Sequence, residues 1–222
     1  MQLKKILLSF SIVTGVLVSG LAIAEKGYIT PTLKSVDVMH NGIPVTITRS
    51  SDKDSVMPKV FTKTARGCPP FCIQPMQVAP GIETVGELEV LGYLKRVSHG
   101  DRTVMVVDSR TPDWVQRGTI PGSVNIPWNK INVDVEGTFE VEAEADTLNE
   151  ILTKQFGVRV PNGQRDFRNA KTLVMFCNGN WCPQSSVNIK TLAKLGYPAY
   201  KLKWYRGGMQ SWVSVGLTTV KP

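Results

Sequence analysis

Two uninterrupted apolar runs constrain this chain more than any other feature. Residues 103–107 read TVMVV and end at Asp108, and residues 172–176 read TLVMF and end at Cys177. A run without polar alternation suits a strand buried on both faces, which is the habit of parallel sheets covered by helices. Helical signals fall between and around the runs. Thr84 and Glu87 have the spacing of a capping box ahead of Leu88, Leu91 and Leu94. Pro112 suits the first turn of a short helix that Gly118 ends. Residues 147–156 carry a helical period, 185–195 do so again with Gly196 as the stop, and 208–215 predict a last helix. Further short strands are predicted over 123–126 and 200–204, and the acidic stretch 136–146 reads as a solvated loop. The alternation predicts an α/β fold in which a parallel sheet is flanked by helices.

The first residues are of another kind. Lys4 and Lys5 precede an apolar run, 6–21, that ends in Ala22-Ile23-Ala24, the small-x-small pattern of a cleaved export signal. The run is shorter than the roughly 20 residues of a spanning helix, so cleavage after Ala24 is expected rather than anchorage. The mature protein is then periplasmic, without stable membrane insertion, in a compartment where thiols are oxidised. Losing two lysines lowers the formal charge from +8 to +6. Basic residues are spread along the chain without a patch, so no nucleic-acid partner is expected.

Three parts are therefore expected: a signal over 1–24, an irregular extension over 25–80, and the α/β core over 81–222. The extension contains one legible β-hairpin, in which Val36 and Val38 face Ile43, Val45 and Ile47 around Asn41-Gly42. Residues 50–59 read as a polar loop. After them comes Gly67-Cys68-Pro69-Pro70-Phe71-Cys72, a proline-stiffened turn with a cysteine at each end.

The chemistry concentrates where the second apolar run stops. Cys177, Asn178, Gly179, Asn180, Trp181, Cys182, Pro183, Gln184 and Ser185 form a short polar loop leading into a helix. Ligands of open α/β sheets bind beyond the carboxyl ends of strands. A loop entering a helix also turns backbone N–H groups toward an anion. A cysteine at the base of such a loop has a stabilised thiolate and becomes a nucleophile. The spacing alone leaves a buried structural cysteine, or half of a disulfide, equally open.

Four pieces of the core, in order, resemble the rhodanese (sulfurtransferase) family. They are Asp108-Ser109-Arg110; Gly118-Thr119-Ile120-Pro121-Gly122-Ser123-Val124-Asn125-Ile126-Pro127; Val174 to Cys177; and Leu195-Gly196-Tyr197 with Arg206-Gly207-Gly208-Met209-Gln210-Ser211-Trp212. The resemblance runs from about Glu83 to Leu217. It implies that Cys177 accepts sulfane sulfur as a persulfide and that residues 178–185 cradle the substrate. Asp108 and Arg110 would support nearby loops, and Asn125 would fix one by hydrogen bonding. Thr119 stands where the family usually has His.

The departures matter too. Counted back from Leu195-Gly196-Tyr197, the family's loop Arg falls on Gln184. This loop is therefore about two residues longer, like those of relatives acting on phosphate or arsenate oxyanions, and it holds no basic residue. Anion binding would then rest on backbone N–H groups and general positive charge. Cys182 could resolve a persulfide or sulfenate on Cys177. Trp181 either walls the pocket mouth or packs in the core. Cys68 and Cys72 are expected to pair with each other, with cross-pairing to the loop as the alternative. A zinc site of all four cysteines has the ligand count but not the spacing, so no metal or other cofactor is expected. His40 and His99 belong to no motif, which leaves a Cys–His hydrolase without a base.

The expected function is a periplasmic sulfurtransferase whose N-terminal extension folds back near the Cys177 loop, moving sulfur from thiosulfate or a similar small sulfur-containing anion to a thiol acceptor. One alternative is a thiol–disulfide redox module acting on a partner protein through Cys177/Cys182 and Cys68/Cys72. Another is a non-catalytic module that binds an anion or a partner.

Overall fold

The computed structural model describes residues 27–132 and 144–222. The expected export signal and most of the acidic stretch 136–146 lie outside the described residues. The end of that stretch is described, and it opens a helix at Ala145 instead of continuing as loop.

The core is a five-stranded parallel sheet. Its strands are β3 (Glu83–Thr84), β4 (Val104–Asp108), β5 (Val124–Asn125), β6 (Thr172–Phe176) and β7 (Leu202–Tyr205), in spatial order β3-β7-β6-β4-β5. The two apolar runs are the neighbouring strands β4 and β6, in the register Val106↔Val174. The central strand shows why its sequence does not alternate. Leu173 and Met175 point into one hydrophobic cluster, Val174 and Phe176 into the other, and all four are fully buried. Opposite faces at successive residues are the strand's geometry, and here both faces are core.

Helices supply the covers. On one face lie Leu148 of α3 (Ala145–Glu150) and Ile189 and Leu192 of α4 (Gln184–Lys194). On the other are Leu91 and Leu94 of α1 (Glu87–Ser98), with Met209 and Trp212 of α5 (Gly208–Ser214). A short α2 (Pro112–Val115) sits between β4 and β5. Continuing α3, Ile151–Gln155 forms a π-helical turn.

Two local expectations are corrected. The capping interaction of α1 lies two residues later than the sequence spacing suggests, with Glu89 Oε2 accepting the Gly86 N–H at 2.9 Å. Thr84 is taken up by β3, which pairs with β7, and its hydroxyl donates to the Met76 carbonyl. The last strand also starts later than residue 200, because Ala199–Lys201 forms a 3-10 turn after Pro198.

The hairpin consists of β1 (Val36–His40) and β2 (Ile43–Ile47). Asn41 (φ 49°) and Gly42 (φ 79°) both take positive φ, as a two-residue primed turn demands. Val36, Val38 and Ile47 enter the same cluster as α1 and α5, joined by Phe61. The chain's far end binds the extension as well: the Thr48 N–H donates to Thr218 Oγ1 at 2.9 Å and the Ser50 N–H to the Gly216 carbonyl at 2.8 Å. No helix among the described residues is long and apolar enough to cross a membrane.

Candidate active site

Cys177 is the first residue beyond the central strand, and the loop from it reaches α4 at Gln184. It is disulfide-bonded to Cys182, and each cysteine is 2% exposed. Gln184 Oε1 lies 3.6 Å from Cys177 Sγ and 3.7 Å from Cys182 Sγ, so this side chain touches both sulfurs. The start of α5 fixes the loop from beneath. Met209 donates its N–H to the Cys177 carbonyl at 3.0 Å, and Gln210 donates to that of Asn178 at 2.9 Å. Such close approach requires Gly208, since a Cβ there would stand 2.3 Å from the Cys177 oxygen, and its φ is +54°. Gln210 also braces the far side of the loop, accepting the Trp181 indole N–H at 3.0 Å and donating to the Phe61 carbonyl at 3.1 Å. Among the described residues, the N–H groups of Asn178, Asn180 and Trp181 donate to no other backbone group, while the Gly179 nitrogen lies against Gly208 on the α5 side.

Asp108 and Arg110 form a buried pair beside this loop. Both side chains are fully buried, and Arg110 Nη2 donates to Asp108 Oδ2 at 2.6 Å. The remaining guanidinium donors reach the Gly118 carbonyl at 2.8 Å and Asn178 Oδ1 at 3.3 Å. Thr119 donates its hydroxyl to the same carboxylate at 2.7 Å. Asn125 Nδ2 donates to the Asp108 and Arg110 carbonyls. The two charged side chains make their hydrogen bonds to protein groups, so the pair holds loops in place. His40 and His99 lie elsewhere. His40 Nδ1 accepts the Gly122 N–H, and burial lowers its pKa; His99 caps α1.

The extension builds the other half of the site. Cys68 and Cys72 are disulfide-bonded to each other, so both pairings are local and the cross-pairing alternative is not the arrangement found. Just beyond that turn, the Gln74 N–H donates to the Asn180 carbonyl at 2.9 Å, and Gln74 Oε1 accepts the Ser186 hydroxyl at 3.1 Å. Arg206 clamps the segment by donating to the Gln74 and Pro75 carbonyls. Phe71 meets Trp181 edge-to-face at 5.7 Å, and the Arg66 guanidinium sits 4.2 Å above the Trp181 ring. Between this strap and the loop lies a pocket of about 580 Å³.

The pocket overturns the expectation that basic residues are merely scattered. Lys59, Lys63, Arg66 and Arg117 line it together with Val60, Phe71, Trp114, Trp181, Asn178, Cys182 and Gln184, and no acidic residue does. Anion attraction therefore has a side-chain source although the loop itself has none. Of the loop residues singled out by sequence, Asn178, Trp181, Cys182 and Gln184 face this pocket, whereas Cys177 sits behind Cys182. Sequence reading missed the cations and the Gln210 brace. The one available signal was the close spacing of Lys59, Lys63 and Arg66 just before the cysteine turn. No group of three or more His, Cys, Asp or Glu side chains among the described residues is placed to hold a metal.

The family profile for the rhodanese-like domain matches residues 91–215, more than half of the chain. No curated protein matches. Among solved structures, a Bacillus halodurans protein is 19% identical, with 63% of this chain and 77% of that one covered and a TM-score of 0.42. A human single-domain sulfurtransferase is 19% identical over 59% of this chain and 95% of its own, with a TM-score of 0.37. A rhodanese with anions from E. coli is 19% identical over 53% of this chain and 98% of its own, with a TM-score of 0.33. Likeness this remote carries no functional weight by itself.

Proposed function

The chain belongs to the rhodanese-like domain family, and on that membership we propose a sulfurtransferase-type enzyme in which Cys177 carries the sulfur. The observation that carries the reading is the position of Cys177: first residue after the central strand, at the base of the loop into α4, bonded to a Cys182 that lines a cation-rich pocket. The disulfide to Cys182 makes the resting form inactive toward donors, so reduction comes first. The freed Cys177 thiolate then attacks the outer sulfur of a donor such as thiosulfate. That bond's electron pair leaves with sulfite, and a persulfide remains on Cys177. Loop N–H groups hold its negative charge. An acceptor thiolate attacks the outer persulfide sulfur and restores the Cys177 thiolate. The site of action is the periplasm, after export directed by residues 1–24 and cleavage after Ala24.

Intact-mass analysis of the reduced protein with thiosulfate tests this reading. One added sulfur, lost in Cys177→Ser and kept in Cys182→Ser, is expected. No adduct on the reduced wild type overturns it. The Cys177–Cys182 disulfide favours a second reading, a thiol–disulfide module that exchanges electrons with a partner protein. That reading expects rapid exchange with a dithiol protein and no sulfur adduct.

A further inference from the structure

We propose that the pocket beneath the strap admits an organic thiol bearing carboxylate groups, and that this thiol attacks Cys182 to release Cys177. The proposal rests on the sulfurtransferase reading in one respect only: release of Cys177 is what allows the sulfur chemistry to begin.

Size, wall chemistry and the position of the sulfurs carry it. A volume of about 580 Å³ falls in the range, roughly 300–1,000 Å³, of sites that enclose organic molecules. A five-atom oxyanion would leave most of it to water. Trp114, Phe71, Trp181 and Val60 give apolar walls suited to a carbon skeleton, while Lys59, Lys63, Arg66 and Arg117 set a positive field with no acidic lining residue to cancel it. Two of these cations are already oriented by rings, Arg66 over Trp181 at 4.2 Å and Arg117 over Trp114 at 4.6 Å, so little side-chain ordering is lost on binding. Cys182 is the member of the disulfide that lines the pocket, and Cys177 is not.

The chemistry balances with thiol as the reductant. A thiolate RS⁻ attacks Cys182 Sγ, and a new RS–Cys182 bond forms as the Cys177–Cys182 bond breaks. The electron pair of the broken bond leaves on Cys177 as thiolate. A second RS⁻ attacks the sulfur of the bound R group, giving RSSR and a Cys182 thiolate that takes its proton from solvent. Two thiols are oxidised and one disulfide is reduced. The cysteine exposed by the first step is the one at the base of the amide loop, where its negative charge is best held.

The test uses the oxidised full-length protein and measures loss of the Cys177–Cys182 bond by acid quench, alkylation and mass spectrometry. The probes are 3-mercaptopropionate, 2-mercaptoethanol and cysteamine, which are similar in size and carry negative, no and positive charge; reduced glutathione serves as a larger dicarboxylate. Rates are compared per thiolate. The expected order at low salt is 3-mercaptopropionate, then 2-mercaptoethanol, then cysteamine. The first and last should differ at least about tenfold, and the gap should collapse at high salt, as electrostatic attraction requires. Glutathione should saturate. Lys63→Gln/Arg66→Gln should remove most of the rate ratio between 3-mercaptopropionate and cysteamine. In Cys177→Ser, glutathione disulfide should form a mixed disulfide on Cys182 faster than it does on Cys177 in Cys182→Ser. Equal rates for the three charges, or faster reaction at Cys177, overturn the proposal. Sulfur loading of chemically pre-reduced protein is scored separately. Loading without charge preference sinks only this inference, and charge preference without loading sinks only the sulfurtransferase reading.

Discussion

At the scale of the residue, the buried Asp108–Arg110 pair decides whether the loop has a floor. Its Coulomb attraction roughly offsets the cost of taking two ions out of water, so the intact pair contributes little net stability. Removing one partner is different, because the other charge is left buried and uncompensated. Asp108→Asn is expected to destabilise the protein by about 3–5 kcal/mol, read as a lower urea midpoint at unchanged slope. It should also slow Cys177 chemistry, because Arg110 holds Asn178 Oδ1. A shift of a few tenths of a kcal/mol would show that the carboxylate is dispensable. The pair was readable in the sequence as Asp-x-Arg after an apolar run, whereas a supporting role was only what the family resemblance implied. What sequence could not give is that Thr119 closes the same carboxylate, since that contact joins residues from different loops.

At the scale of the element, legibility follows the range of the forces involved. The strands β4 and β6 were readable because burial on both faces writes an unmistakable apolar run. The hairpin was readable because Asn41-Gly42 supplies two positive φ angles. The two-residue β3 was not, since its pairing with β7 spans more than a hundred residues of chain and leaves no local period. The strap is the clearest case. The pairing of Cys68 with Cys72 was expected, yet nothing local says that Gln74 will bond Asn180 or that Lys63 and Arg66 will face Cys182. Those contacts exist only once the strap lies across the loop. Replacing the disulfide by Cys68→Ser/Cys72→Ser removes a ring of only five residues, so chain entropy sets the loss at about 2 kcal/mol. The larger effect is expected locally, as faster hydrogen exchange of the Gln74 N–H and weaker glutathione saturation. Unchanged exchange at Gln74 would mean that the disulfide does not hold the strap, which then rests on Arg206, the Gln74–Ser186 bond and the Phe71–Trp181 contact.

At the scale of the whole molecule, the question is whether the extension is an ornament on a complete domain. The boundary near residue 80 marks a change in sequence rhythm, and the extension ahead of it is expected from sequence to fold back near the active loop. Packing goes further and makes it part of the core. Val36, Val38, Ile47 and Phe61 belong to the cluster that covers one face of the sheet, packed with Leu91, Leu94, Met209 and Trp212, and the chain's last residues bond to Thr48 and Ser50. Fully burying an aliphatic or aromatic side chain contributes about 1.5–3 kcal/mol. Four of them are therefore comparable with the roughly 5–15 kcal/mol net stability of an ordinary domain. Cutting at residue 80 would also uncover α1 and α5, and the first turn of α5 is what fixes Cys177 and Asn178. A chain of residues 81–222 is thus expected to lose the cooperative urea transition given by residues 25–222, to bind a hydrophobic dye, and to take no sulfur from thiosulfate even when fully reduced. A sharp transition within about 1 kcal/mol of the longer chain's would show that the sheet and its helices stand alone, and that the extension serves only as the wall of the pocket.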